Sequence, residues 1–192
     1  MTIPKIIHQI WLSDISDIPE KYKLFSSKWK DEHNDFKYIL WGDEIYDEFG
    51  GKNAFLKKYN LDKIHPAQIS DVLRVLLLQR YGGFYIDIDS ECKSNISELI
   101  DNKLVCYFHG YSQDRVHISY DFIGAIPNHD FINSLLSDIE KEVNNNYIDP
   151  LYKYGFKKFQ DKIILESCSG ITILGAKVIS KYLKHHFYNS WR

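Results

Sequence analysis

The sequence predicts an α/β sandwich, in which helices flank a sheet. Three observations carry that expectation. Short segments rich in β-branched and aromatic residues alternate with helix-length segments along the chain. The longest apolar run, within residues 65–83, is framed as a helix by Pro66 at its start and Gly82–Gly83 at its stop. The strand-like "FYIDI" (84–88) that follows carries Asp87 near its end, with Asp89 just beyond. In open α/β sheets the ligand sits outside such strand ends.

Taken in order, "KIIHQIW" (5–11) reads as a strand, and a polar loop with Pro19 follows. "KYKLFSSKWKDEH" (21–33) is a helix and "FKYILW" (36–41) a second strand. Gly42–Asp43 then turns the chain into a short helix, and residues 52–60 are helical by pattern. After the 66–81 helix and the 84–88 strand, "KLVCYF" (103–108) and "VHISYDFIGA" (116–125) are strands. "NHDFINSLLSDIEKEV" (128–143) is an amphipathic helix. Residues 144–162 lack periodicity and read as a loop, and "GAKVISKYLKHH" (175–186) as a last helix, with an extended end the alternative.

The length of 192 residues suits one domain with a sizeable core. The formal net charge of −2 excludes a general nucleic-acid binder, which needs a basic face. The three cysteines form no CxxC pair, which points away from zinc and disulfide frameworks and towards a reducing compartment. No window has the roughly 20 apolar residues of a membrane span. The N-terminus does not read as a signal peptide, so a cytoplasmic location is expected. Tyrosine and phenylalanine are plentiful, which fits either a tyrosine-rich core or a site for flat or sugar-like ligands.

Asp87 and Asp89, two apart on a strand, would share a face with their carboxylates near enough to repel. A divalent cation supplies the counter-charge, and hard oxygen ligands suit Mg²⁺ or Mn²⁺. Two solvated acids at a strand end would need no cation. A calcium loop over 87–98, with Asp87, Asp89, Glu91, Asn95 and Glu98 as ligands, lacks the turn glycine, replaced by Cys92. A strand followed by D-x-D also opens phosphatases of the haloacid dehalogenase type, but there it normally lies near the chain start. Upstream, Asp71 and Arg74 share a helix face. They form either a local ion pair or a set in which Arg74 meets a diphosphate or sugar hydroxyl and Asp71 accepts from hydroxyls.

"SDVLRVLLLQRYGGFYIDID" (70–89) resembles the long signature of family 32 glycosyltransferases, the D-x-D sugar transferases of capsule and glycan synthesis. "IPKIIHQIWLS" (3–13), "FKYILWGDE" (36–44), "DFIGAIPNHDFINSLL" (121–136) and "HHFYNSW" (185–191) resemble further segments of the family, in order. The resemblance implies a GT-A fold, a mixed sheet flanked by helices, with residues 1–192 as one catalytic domain. It implies a nucleotide-sugar donor, with uridine donors expected first and guanosine donors second. Mn²⁺ or Mg²⁺, retention of anomeric configuration and a glycan, lipid-linked or protein acceptor complete the picture.

By position, the resemblance has Trp11 stack on the nucleobase, while Asp71 and Arg74 hold the ribose or donor sugar. Asp87 would contact sugar, ribose or metal, Asp89 and His185 would ligate the metal, and Ser190 and Trp191 would close over the diphosphate. The catalytic set is then Arg74, Asp87, Asp89 and Asp121. Asp121 stands where the family more often has Asn, and Ile171 in "SCSGITIL" (167–174) where a Pro is common. Departure of a nucleoside diphosphate builds negative charge on phosphate, which a metal and an arginine offset. Front-face attack assisted by that phosphate is the favoured route. Double displacement would make Asp121 the nucleophile. Two further expectations concern surfaces. "HHFYNSWR" (185–192) should order over bound nucleotide as a lid. "LYKYGFKKFQDK" (151–162) reads as a solvated loop, or alternatively as a contact for an anionic membrane face or acceptor.

Overall fold

A computed structural model describes residues 1–62, 64–112, 115–145, 154–165 and 170–186. Strand β1 (Ile6–Ile10) is followed by helix α1 (Glu20–Glu32), strand β2 (Lys37–Trp41) and helix α2 (Lys52–Tyr59). Helix α3 (Pro66–Tyr81) leads into β3 (Gly83–Ile86) and the short β4 (Ser90–Cys92). Then come β5 (Leu104–Ser112), β6 (Arg115–Ile118), β7 (Phe122–Ala125) and α4 (Asp130–Glu142). Helix α5 (Phe156–Leu165), strand β8 (Ile171–Leu174), the one-turn α6 (Ala176–Ile179) and strand β9 (Leu183–His185) follow.

Among the described residues, seven strands make one mixed sheet, ordered β2-β1-β3-β7-β5, with β6 and β8 both pairing β5. Strands β2 and β3 run parallel to β1, and β7 runs antiparallel to both β3 and β5. The alternation of strand side chains divides the core. Tyr85, Leu104 and Ile123 face a layer that includes α3, α4 and α5, whereas Phe84, Ile86, Val105 and Phe122 face Trp29 of α1 and Leu183 of β9. Gly82 and Gly83 join α3 to β3 with φ of 62° and 89°. A Cβ on Gly83 would lie 2.6 Å from the Ile6 carbonyl oxygen, so β1 packs against a position that only glycine fills.

Several sequence expectations are corrected here. Strand β3 stops at Ile86, and Asp87–Ser90 is a turn closed by a 3.0 Å bond from the Ser90 N–H to the Asp87 carbonyl. Ile88 therefore turns away into a small apolar cluster with Ile18 and Tyr22. The expected strand 116–125 is two strands, β6 ending at Ile118 and β7 starting at Phe122, with Ser119–Asp121 between them in neither. The expected loop 144–162 ends in helix α5. Its apolar face is Phe159 and Ile163, both buried, beside Lys158 and Lys162. Those lysines pair with Glu142 (2.5 Å) and Asp138 (2.9 Å) of α4, so residues that read as polar lie on a buried face. Residues 151–153, at the start of the 151–162 stretch, lie outside the described residues. Residues 175–186 are one helical turn followed by strand β9, the extended alternative. Among the described residues, no helix is long and apolar enough to cross a membrane.

Candidate active site

A cleft of about 550 Å³ opens where β1, β3 and β7 meet the N-terminal end of α3. Trp11, Ser13, Asp71, Arg74, Asp87, Asp89, Asp121 and His185 are among the residues that line it. Asp87 and Asp89 come from the turn after β3, and Asp121 from the break before β7. The Asp87 N–H donates to the Asp121 carbonyl at 2.8 Å, which fixes the two acids beside each other.

The partner strand of β4 is β9, 96 residues on from Asp89 at His185. The antiparallel register sets Ser90 opposite His185, and the His186 N–H closes the ribbon on the Asp89 carbonyl at 3.2 Å. His185 Nε2 is thereby 2.8 Å from Asp89 Oδ1 and 4.0 Å from Asp87 Oδ2, with Nδ1 3.4 Å from Asp121 Oδ2. Ligand atoms of Asp87, Asp89 and His185 all lie within 4.8 Å of one another. Burial works against a charge on His185, but the Asp89 hydrogen bond and the Asp121 and Asp87 carboxylates outweigh it and push its pKa up to about 9. Two hard carboxylates and an imidazole, already converging with a proton holding them together, fit a divalent ion of the Mg²⁺ or Mn²⁺ kind.

Arg74 is tied down by protein groups. Its guanidinium lies between the rings of Tyr85 (4.4 Å) and Tyr120 (4.6 Å). It donates to the Tyr120 carbonyl at 2.6 Å and pairs with Asp71 at 2.8 Å and Asp87 at 3.4 Å. The ion pair expected as one reading of the spacing is present, and it extends to the first acid of the D-x-D pair. Burial pushes the Asp71 carboxyl up to about 7 against the pull of Arg74. Asp121 is pushed up to about 6 by burial, opposed by His185, and both its oxygens accept from the Tyr107 hydroxyl, at 3.0 and 2.8 Å. Trp11 is half-buried against Tyr22, and its buried indole N–H has no partner among the described residues.

The calcium-loop reading fails on geometry. Glu91 is held by Lys28 and His186, the Asn95 side chain bonds Glu32 and Ser97 backbone, and Glu98 bonds Tyr182. Ser190 and Trp191 lie outside the described residues, as does Cys168, and so does the lid segment beyond His186. His185 is held in place by strand pairing opposite Ser90, and the His186 N–H bonds the Asp89 carbonyl. Sequence reasoning missed Tyr85, Tyr107 and Tyr120, which orient the acids and Arg74. It also missed His109 and His117, which line the cleft from the β5–β6 hairpin. Tyr85 alone carried a signal, being two residues before Asp87 on the same strand face.

Mixed sheet, acidic turn and histidine-bearing strand define a GT-A-type glycosyltransferase fold. Among solved structures, the PaToxG glycosyltransferase superposes with a TM-score of 0.66 at 22% identity, covering 86% of this chain and 70% of that one. The UDP-bound glycosyltransferase domain of the YGT toxin superposes with a TM-score of 0.62 at 10% identity, covering 90% and 80%.

The chain belongs to the family described as capsular polysaccharide synthesis protein, whose model matches residues 1–166. This agrees with the family 32 resemblance of its motifs. Inositol phosphoceramide mannosyltransferase 2 of Schizosaccharomyces pombe is 32% identical over 150 residues, covering 76% of this chain and 41% of the relative. A mannosyl phosphorylinositol ceramide synthase of Saccharomyces cerevisiae is 35% identical over 140 residues, covering 72% and 35%. An uncharacterized glycosyltransferase of Acanthamoeba polyphaga mimivirus is 28% identical over 186 residues, covering 94% and 72%. The chain thus spans about two fifths of the length of the two yeast relatives. The family match leaves the phosphatase reading without support.

Proposed function

We propose that this chain is a metal-dependent, retaining glycosyltransferase that moves a hexose from a nucleoside-diphosphate donor to a hydroxyl of a glycan, lipid-linked or protein acceptor. The observation that carries the reading is the convergence of Asp87, Asp89 and His185 within 4.8 Å in the cleft. Mannose is the first sugar to test, because two relatives are named for mannosyl transfer. Uridine is the first base and guanosine the second.

In this reading Trp11 stacks on the base, and its unpaired indole N–H meets a ligand oxygen. Asp71 accepts from ribose or sugar hydroxyls in the cleft. Asp89 and His185, with Asp87, would hold a divalent ion, which would supply positive charge where the leaving diphosphate gains negative charge. Arg74 acts mainly by holding Asp71 and Asp87 in place, since its donors are already engaged. Asp121 faces the donor sugar, but Tyr107 occupies both its oxygens. That arrangement favours front-face attack, in which the departing phosphate takes the acceptor proton, over a covalent intermediate on Asp121. Ser190 and Trp191 keep their proposed place over the diphosphate, and residues 1–192 act as one catalytic unit.

Release of nucleoside diphosphate from UDP- and GDP-sugars, with Mn²⁺ and with EDTA, tests the proposal. Mn²⁺-dependent release that Asp89→Asn abolishes supports it. Equal rates in EDTA and Mn²⁺ refute it.

A further inference from the structure

His185 ends strand β9 and His186 follows directly, its N–H still bonded to the Asp89 carbonyl. The His185 ring goes to Asp89 and the His186 ring to Glu91 and Phe25, on the other side of the β4–β9 ribbon. A pairing slip of one residue would exchange them, turning His186 towards Asp89 and His185 away. Both are imidazoles, so the site chemistry alone does not choose between them. Something outside the site must fix the register.

The contacts of His186 do so. Its ring stacks on Phe25 of α1, with centroids 4.8 Å apart and planes 11° from parallel. Its Nε2 is 3.1 Å from Glu91 Oε2, on β4. Lys28, one helical turn on from Phe25, holds the other oxygen of Glu91 at 2.6 Å. Trp29 of the same helix donates its indole N–H to the Ser90 carbonyl at 2.8 Å, which anchors α1 to β4. A slip that turned His186 towards Asp89 would bring Phe187 to the place of His186, where a phenyl ring can stack on Phe25 but cannot bond the Glu91 carboxylate.

The geometry points to Phe25, Lys28 and Glu91 as a register key: by gripping His186 they position His185, and so set the metal affinity of the site they do not touch. This rests on the metal-binding reading above. Partners of this kind, one shell out from a ligand, typically change affinity by about 10–100-fold.

The test is Mn²⁺ affinity, measured by the electron paramagnetic resonance of free Mn²⁺, without nucleotide. Phe25→Ala combined with Glu91→Gln should weaken Mn²⁺ binding roughly tenfold, with thermal unfolding still cooperative. Phe25→Tyr, which keeps the ring, should restore it in a Phe25 single-variant comparison. The decisive arm is the dependence on each histidine. In the parent protein His185→Ala should weaken Mn²⁺ binding by at least the same factor, and His186→Ala by less. In the Phe25→Ala/Glu91→Gln background the His185→Ala loss should shrink, because His185 is no longer uniquely presented. An undiminished His185→Ala effect in that background would overturn the key, as would parental Mn²⁺ affinity in the double variant. Mn²⁺ binding that Asp89→Asn leaves unchanged would instead overturn the metal site itself, which separates the two failures.

Discussion

Replacing Arg74 with methionine tests whether this arginine builds the site or only binds the donor. Methionine roughly keeps the volume between Tyr85 and Tyr120 while removing the charge and every donor. The side chains of Arg74 and Asp71 are 7% and 13% exposed, so the pair is effectively inside the protein. Removing one partner of a buried pair typically costs about 3–5 kcal/mol, because the other charge is left uncompensated. For a protein of this size that corresponds to a fall in Tm of roughly 6–20 °C. The loss should depend on pH. Burial raises Asp71 to about 7 in the folded protein, above its ordinary 3.8. A raised acid favours folding below the unfolded value and loses that contribution as pH rises through the folded one. The variant should therefore be most impaired near pH 8 and recover much of its deficit at pH 5, where Asp71 takes up a proton. Urea unfolding of both proteins at the two pH values measures this. A loss under about 1 kcal/mol at pH 8 would refute the structural role and leave Arg74 as a donor contact only.

Asp89→Asn should lose Mn²⁺-dependent nucleotide binding and transfer while unfolding within about 1–2 kcal/mol of the parent, read by calorimetry and by diphosphate release. Trp11→Ala should weaken nucleotide binding by about 1–3 kcal/mol, the worth of one stacked base, and leave a folded protein. An unfolded variant would show that Trp11 is a core anchor. In metal-free protein, His185 is raised from 6.5 to about 9, so its stabilising contribution is full below pH 6.5 and is lost as pH rises through 9. Unfolding free energy should fall over that window by up to roughly 3 kcal/mol, and a His185→Gln variant should lack the fall. Mn²⁺ affinity should rise across the same window, since a ligating imidazole must be neutral.

Much of the fold was legible because local chemistry and tertiary role agreed. Pro66 and Gly82 bound α3 as expected, and β1 and β2 are the strands that their β-branched and aromatic residues announce, β1 largely buried and β2 half-buried at the sheet edge. Asp87 and Asp89 were legible as a pair, but not their geometry. The strand reading ran through Ile88, whereas the turn after Ile86 is fixed by a bond between backbone atoms that no side chain announces. Helix α5 was hidden because Lys158 and Lys162 occupy its buried face through ion pairs to α4. His185 could be connected to Asp89 only through the family pattern, since residues 96 apart leave no local periodicity to read. Tyr107 was missed for the same reason, since its role exists only once β5 lies beside Asp121.

The β4–β9 ribbon has a consequence for the order in which the protein becomes competent during synthesis. Asp89 and His185 are separated by 96 residues, and a chain made at 5–20 residues per second needs roughly 5–20 s to travel between them. Over that interval the nascent chain holds Asp87, Asp89 and then Asp121 without the imidazole that bridges them. Closing so long a loop also costs about 4 kcal/mol in chain entropy, which the ribbon must recover when it forms. The part of the cleft lined by Trp11 and Asp71 can be assembled early, but the cluster of Asp87, Asp89 and His185 is completed only after residue 185 has emerged. A chain stopped before β9 would hold Asp87, Asp89 and Asp121 without the imidazole that bridges them.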